Sequence, residues 1–345
     1  MQAATISAFG DIDVLNFSEV PTPSPKSGNV LIKIDAIGTN YYDTLVRSGA
    51  VSRSIPLPHV TGSDVVGHIE KLGAEVTALR LGDRVIVAPG FPSDPNEWEI
   101  TPENEAPSYF PTGTYGWGGY AQYIEIPARW VIRDETNLAA EDLAVMPLVL
   151  VTAVHAVKTL GRVGPGSRVL VQAGASGSGS MAIQVAKALG ADVIATVSTD
   201  QKAKLARSMG ADEVVRYRES DVGSAVRGWA GVNGIDVVID PVGGTTMAVN
   251  LDCLKPRGTV VNFGLSGGTE ATIPHLYPFF RNERKIVGCW MGSMAELEFG
   301  LGLVKQGKIR SALHKTLPLS QAREAHRMLA GAQVVGKLAL LPWAA

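Results

Sequence analysis

The chain has 345 residues, more than one hydrophobic core usually serves, so two domains are expected. Lys+Arg 31 against Asp+Glu 33 gives a formal charge of −2, which offers no basic surface for nucleic acid or an anionic membrane and favours small-molecule chemistry. Its two cysteines, Cys253 and Cys289, exclude a disulfide framework and a four-thiolate metal site, and their apolar surroundings read as core.

The opening MQAATISAFGDID has neither the basic start nor the apolar core of a signal peptide, and no apolar run approaches the roughly 18 residues that span a bilayer. A cytoplasmic protein is expected. Up to about Pro127, short period-two runs between Gly, Pro and Asp turns predict a small β-rich domain, with strands at 30–37, 65–72, 84–87 and 120–126 and a helix over 41–48. The stretch from Pro89 to Gly119 is acidic, rich in proline and free of Lys and Arg, and loops of that length usually do something. Its aromatics Phe91, Trp98, Tyr109, Phe110, Tyr115 and Trp117 either wall a pocket or subunit contact, or pack on their own domain.

Residues 139–161 read as two helices interrupted at Pro147, and the stretch that organises the chain follows, SRVLVQAGASGSGS at 167–180. Residues 168–171 make a short buried strand with Val169 to Val171 as its apolar run, a Gly/Ser turn comes next, and from Met181 the spacing of Ile183, Val185, Ala186 and Leu189 marks one helix face ending at Gly190. Strand, glycine turn and helix form a pyrophosphate site, because small residues let phosphate oxygens reach backbone N–H groups at the positive helix end. Measured against GxGxxG the loop supplies Gly174, Ser176 and Gly179, with Gly177 and Ser178 between. Further strands at 192–197, 213–215, 236–239, 259–263 and 285–290, with helices between most of them, predict a doubly wound parallel sheet. Beyond Trp290 a helix (295–306), a strand near 315–319, a helix (321–330) and a strand (337–341) form a tail that rejoins the first domain.

The second strand, ADVIATV, ends in Ser198 and Thr199, followed by Asp200, Gln201 and Lys202. An acidic residue at that strand end holds the ribose 2′-OH in NAD-selective folds. Here small hydroxyls leave room for a 2′-phosphate and Lys202 can reach it as a point charge, which predicts NADPH. Two alternatives stay open: Asp200 binding an unphosphorylated ribose, and Lys202 as a solvated first-turn lysine.

Taken together, GTNYYDT at 38–44, GSDVVG at 62–67, GDRV at 82–85, GGYAQY at 118–123, the glycine loop, DVVIDPVGG at 236–244, NFG at 262–264 and GKL at 336–338 resemble the medium-chain dehydrogenase/reductase superfamily. Within it, the chain is similar to the zinc-lacking quinone oxidoreductases related to zeta-crystallin. The resemblance implies an α/β fold in which a Rossmann domain (128–291) is inserted in a GroES-like β-rich catalytic domain (1–127 and 292–345), with the active site in the cleft between them. It also implies cofactor contacts: Thr152 beside the nicotinamide ribose, Phe263 and Gly264 near the nicotinamide, and Gly336-Lys337, with Lys337 binding the cofactor, closing the site from the tail. Tyr217, with Arg218 beside it, would lie near the 2′-phosphate, Asp43 would fix a turn, and Asp240 would be structural. As in related proteins, the strand at 285–290 would pair with its mate in a homodimer.

The departures carry chemistry. Asn40 stands where zinc-dependent members have a Cys ligand, Ser63-Asp64 stands for His-Glu, and 146–154 is apolar, so a tetrahedral N/S site cannot be assembled. The long 89–119 stretch lacks the four cysteines of the structural zinc lobe. No pair among His59, His68 and His155 has ligand spacing. Without a Lewis acid the substrate carbonyl must be polarised by hydrogen bonds, which suits quinones and α,β-unsaturated carbonyls. Asn40, through its amide, and Tyr41, as donor or proton relay, are the candidate catalytic residues, each with packing as the alternative. Rival readings are a 2-enoyl thioester reductase, disfavoured because Asn40-Tyr41-Tyr42-Asp43 lacks that family's proline, another alcohol dehydrogenase-like reductase, and a non-enzymatic NADPH-binding module.

Overall fold

A computed structural model describes residues 1–344. The chain folds into two compact units, one of Met1–Leu148 with the segment from Ser311 onward, the other of Val149–Arg310. In chain order the first unit opens with β1 (Gln2–Ile6), β2 (Leu15–Glu19), β3 (Asn29–Gly38), α1 (Tyr41–Ser48), β4 (Asp64–Leu72), β5 (Arg84–Val87), β6 (Gly90–Pro92), β7 (Tyr109–Pro111), β8 (Tyr123–Pro127), β9 (Val131–Arg133) and α2 (Ala140–Ala144). α3 (Pro147–Val154) begins at the end of the first unit and continues into the second, which holds β10 (Arg168–Val171), α4 (Gly177–Ala188), β11 (Asp192–Val197), α5 (Asp200–Ser208), β12 (Glu213–Arg216), α6 (Val222–Ala230), β13 (Ile235–Asp240), α7 (Met247–Cys253), β14 (Leu254–Asn262), α8 (Leu276–Arg281), β15 (Lys285–Gly288) and α9 (Met294–Lys305). The chain ends with β16 (Leu313–Pro318), α10 (Ala322–Ala330) and β17 (Lys337–Leu341) in the first unit.

In the first unit a seven-stranded sheet runs β16-β17-β3-β4-β5-β9, with β8 also on β3. The alternation in β3 buries Val30, Ile32, Ile34 and Ala36 and gives the strand three partners, so it is the centre of the sheet. Its last residue must be glycine: a Cβ at Gly38 would lie 2.1 Å from the carbonyl oxygen of Ala144, where α2 crosses. The tail joins the sheet directly, since β17 pairs antiparallel with β3 through Ala339↔Gly38 and Leu340↔Ile37.

The second unit is a six-stranded parallel sheet, β12-β11-β10-β13-β14-β15, the expected doubly wound order. Strands covered on both faces read as apolar runs, and Leu170, Ile194, Val238 and Val260 are fully buried in one cluster. The unit boundaries at 148/149 and 310/311 differ from the expected 127/128 and 291/292. The reasons are local. Trp130 of the first unit is buried against Phe91, ring centroids 5.7 Å apart, and α2 packs on Gly38. Meanwhile α9 is capped by Ser293 and tied to His155 through Glu296, both in the second unit.

The 89–119 stretch is more ordered than a loop. It forms the β6–β7 hairpin and two single helical turns, Pro95–Glu97 and Glu103–Glu105. Trp98 packs edge-on against Trp130, while Phe110, Tyr115 and Trp117 line a cavity of about 440 Å³. Both readings of its aromatics therefore hold, for different side chains.

Candidate active site and cofactor loop

In the first unit, α1 starts two residues after Thr39, whose N–H and hydroxyl both donate to the carbonyl of Leu338, at 3.0 and 3.2 Å. Asn40 is the residue before the helix, and its N–H donates to Asp43 Oδ2 at 2.8 Å, so Asp43 fixes the turn as expected. The Asn40 side chain is buried, and its oxygen and one of its two amide hydrogens are engaged. Its Nδ2 donates to Asp64 Oδ2 at 2.9 Å, and its Oδ1 accepts from Lys337 Nζ at 2.5 Å. Asp64 is buried as well, takes the Leu148 N–H on Oδ1 at 2.7 Å, and lies 3.3 Å from Lys337 Nζ. Burial raises the Asp64 carboxyl against the opposing pull of Lys337, Asn40 and that N–H.

A second buried chain meets the same helix start. Arg47 Nη1 lies 3.0 Å from His326 Nδ1, and because an arginine only donates, Nδ1 must accept and Nε2 carries the hydrogen. Nε2 then donates to Tyr120 Oη at 3.3 Å, and Tyr120 donates to Asp43 Oδ2 at 3.0 Å. Burial lowers His326 to about 3 and raises Tyr120 well above the usual phenol. It also raises Asp43 to about 7 despite the donors from Asn40 and Tyr120, and Asp43 Oδ1 has no hydrogen-bond partner among the described residues. Tyr41, by contrast, opens α1 half-exposed, with 48% of its surface in solvent, so it is not held by packing.

These positions do not fit a zinc ion. The asparagine oxygen and the carboxylate that would face it already hold an ammonium, Ser63 offers a buried hydroxyl, and no group of three His, Cys, Asp or Glu gathers among the described residues. His59 is instead buried with Nε2 2.8 Å from the Gly113 carbonyl, a structural contact.

In the second unit the glycine loop is seated between β10 and α4. The helix starts at Gly177, not Met181. The first turn faces other backbone and carries no apolar residue, so the apolar period becomes visible only where the helix meets the core. Ser176 is the cap, its Oγ accepting the Gly179 N–H at 3.0 Å, and among the described residues nothing accepts from the N–H groups of Gly177 and Ser178 at the helix end. A Cβ at Gly179 would lie 2.2 Å from the Ala173 carbonyl oxygen. This cradle fits the pyrophosphate of a dinucleotide.

Beneath it runs a polar chain that no sequence pattern announces: Thr196 donates to Gln172 at 2.5 Å, Gln172 to Asn250 at 2.7 Å, and Asn250 to Asp240 at 2.9 Å. Asp240 also takes the Val242 and Gly243 N–H groups, the structural role expected of it. Asn262 reaches from the end of β14 to the carbonyls of Asp240 and Gly264, both at 3.1 Å, which shapes the backbone around Phe263 and Gly264. Thr152 is buried on α3.

At the end of β11, Ser198 is buried and Thr199 caps α5 by accepting the Lys202 N–H at 3.3 Å. The register places Arg216 of β12 opposite Val197, so this arginine stands at the same strand end. It pairs with Asp200 and with Glu219, both at 2.8 Å, and Tyr217 beside it is half-exposed. Arg216 was missed in the sequence because only strand pairing brings it to Asp200. The family resemblance points instead to Tyr217, with Arg218 beside it.

Residues 26–136 match the alcohol dehydrogenase GroES-like domain, and residues 177–306 match the zinc-binding dehydrogenase family. The chain is 32% identical to a 2-haloacrylate reductase of Burkholderia sp, over 100% of both chains. It is 30% identical to the quinone oxidoreductase of Homo sapiens, over 99% of this chain and 98% of the relative. A solved structure titled an NAD-dependent alcohol dehydrogenase superimposes with a TM-score of 0.94 at 32% identity, covering 99% of each chain. The chain is thus an oxidoreductase with a nicotinamide cofactor, and it belongs to the medium-chain dehydrogenase/reductase superfamily, within the zinc-lacking quinone oxidoreductase-like family.

Proposed function

We propose that this enzyme uses NADPH and delivers hydride to a quinone or an α,β-unsaturated carbonyl without a metal. The observation that carries the reading is the Lys337 ammonium held by Asn40 and Asp64, at the positions where the zinc-dependent pattern has its ligands. Bound cofactor supplies the hydride. The chain's part is to hold the acceptor and meet the negative charge that arises on its oxygen, which falls to the Asn40 amide, with Tyr41 as the solvent-facing source of a proton. The open N–H groups of Gly177 and Ser178 hold pyrophosphate, while Ser198, Thr199, Lys202 and Tyr217 surround the adenosine ribose. Thr152, Phe263 and Gly264 bind the nicotinamide end. The relatives support this substrate class, since haloacrylates and quinones are both electron-poor unsaturated acceptors.

A second reading, use of NADH, is favoured by one observation. Asp200 is exposed at the strand end, able to take a ribose 2′-OH if Arg216 releases it. Cytoplasmic location belongs to the same proposal, in keeping with two cysteines that are both unpaired and buried. Consumption of NADPH and of NADH with 1,2-naphthoquinone, 2-cyclohexenone and a crotonyl thioester, beside NADPH binding measured alone, tests the proposal. Turnover of the first two acceptors with NADPH supports it. Preference for the thioester points to an enoyl thioester reductase, and binding without any turnover points to a non-enzymatic module.

A further inference from the structure

We infer that Lys337 is a positioning residue: its ammonium, seated between Asn40 and Asp64, fixes the Asn40 amide so that one Nδ2 hydrogen is directed to the substrate carbonyl oxygen. This rests on the proposed reduction and deepens it by naming the donor atom. The resemblance assigned Lys337 to the cofactor, and the geometry points elsewhere.

The amide orientation is forced by chemistry. An ammonium has only hydrogens to offer, so the Asn40 atom 2.5 Å from Lys337 Nζ must be the oxygen. The amide nitrogen then faces the Asp64 carboxylate at 2.9 Å, which only accepts. Turning the amide over would set NH₂ against NH₃⁺ and oxygen against oxygen. One Nδ2 hydrogen is committed to Asp64, and the other meets no acceptor among the described residues.

Each member is held from a different element. Asn40 is anchored through its own N–H to Asp43 and through Thr39 to Leu338. Asp64 is anchored through the Leu148 N–H, and Lys337 starts β17, whose pairing with β3 sets its register. A charge-assisted bond to the amide oxygen also polarises the amide, and that strengthens its remaining N–H as a donor. Lys337 therefore acts on the reaction through Asn40.

The test uses the full chain with NADPH and 1,2-naphthoquinone. In Lys337→Met, kcat is expected to fall by about 10- to 100-fold, as for partial loss of an oxyanion donor, with the Kd for NADPH changed less than about two-fold. Lys337→Arg, which keeps a charge on the amide oxygen, is expected to recover part of kcat. If Lys337→Met does not fold because Asp64 is left alone, Lys337→Met with Asp64→Asn removes both charges and is expected to show the same split.

A second readout does not need turnover. In NADPH-saturated protein labelled with ¹⁵N-asparagine, the Asn40 side-chain NH₂ pair is expected to exchange slowly in the wild type and fast in the variants. A rise of tenfold or more in NADPH Kd overturns the inference in favour of a cofactor contact. Unchanged kcat, or unchanged amide exchange, overturns it in favour of a purely structural lysine. A wild type that reduces neither quinone nor enone defeats the proposed function, and the amide exchange still decides the positioning role.

Discussion

Lys337 Nζ and Asn40 Oδ1 lie 2.5 Å apart although 297 residues separate them in the chain. The contact means that the ligand positions of a zinc site are filled by a cation the protein carries itself, with Asp64 balancing its charge. A zinc ion would have to expel a buried ammonium and bind an amide oxygen, a hydroxyl and one carboxylate, a poor set for that ion. Dialysis against a strong chelator is therefore expected to leave NADPH turnover unchanged. Activity that disappears and returns on adding zinc would refute this.

Asp43 and His326 make opposite contributions to stability as pH changes. The Asp43 pKa is raised from 3.8 to about 7, so in the folded state it keeps a proton the unfolded chain has lost; its contribution is full below about 4 and falls as pH rises through 7. His326 is depressed from 6.5 to about 3, so its contribution is present above 6.5 and falls as pH drops toward 3. Between about 4 and 6.5 the two slopes cancel. Asp43→Asn keeps an acceptor for Asn40 and Tyr120 but cannot ionise. The stability of the wild type minus that of the variant is expected to fall by about 1.4 kcal/mol per pH unit between roughly pH 4 and 7 and to be flat outside that range. Denaturant melts at half-unit steps measure it, and a difference independent of pH would show that Asp43 ionises normally.

How much of this was legible in the sequence follows the range of the interactions. Strands such as Arg168–Val171, Asp192–Val197 and Lys337–Leu341 were readable to the residue because each is a local apolar run between turns. The start of α4 was misplaced by four residues because its first turn is Gly and Ser packed on backbone, with no apolar period to read. A motif marks Asn40, but nothing local marks Lys337 as its hydrogen-bond partner, because strand pairing delivers that lysine. Tyr120, His326 and Arg47 were missed for the same reason: each looks like an ordinary surface or core residue until three elements meet.

The sheet edge supports the proposed homodimer. Among the described residues β15 is the last strand of its sheet, so its outer row of backbone groups faces no further strand; Ile286 is exposed on it and Trp290 two residues beyond it. Nearby in the chain, α8 exposes Leu276, Tyr277 and Phe280. A second copy of the chain would cover such surface by antiparallel edge pairing about a two-fold axis. Light scattering is expected to give a dimer mass at micromolar concentration, and Ile286→Asp to shift it to monomer with cofactor binding retained. A monomeric wild type would end this proposal.

Cofactor preference should rest on Arg216 more than on Lys202. The register that sets Arg216 opposite Val197 brings it to the strand end where the proposed NADPH would carry its 2′-phosphate, and its guanidinium pairs there with Asp200 and Glu219. Those pairs are exposed, and exposed ion pairs contribute only about 0–1 kcal/mol, so exchanging a carboxylate for a dianionic phosphate costs little. A guanidinium also meets phosphate with two parallel hydrogen bonds, which an ammonium cannot. A hydrogen bond to a charged group contributes about 1.5–3 kcal/mol, so Arg216→Ala is expected to weaken NADPH by roughly 10- to 100-fold. NADH has nothing there for the arginine to hold, and its affinity is expected to change less than about three-fold. Asp200→Asn frees the arginine and is expected to tighten NADPH while weakening any residual NADH binding. Fluorescence titration of both cofactors into wild type, Arg216→Ala and Lys202→Ala decides between the two cations. Equal losses for NADPH and NADH in Arg216→Ala would place the phosphate elsewhere, and a larger loss in Lys202→Ala would return the role to the lysine.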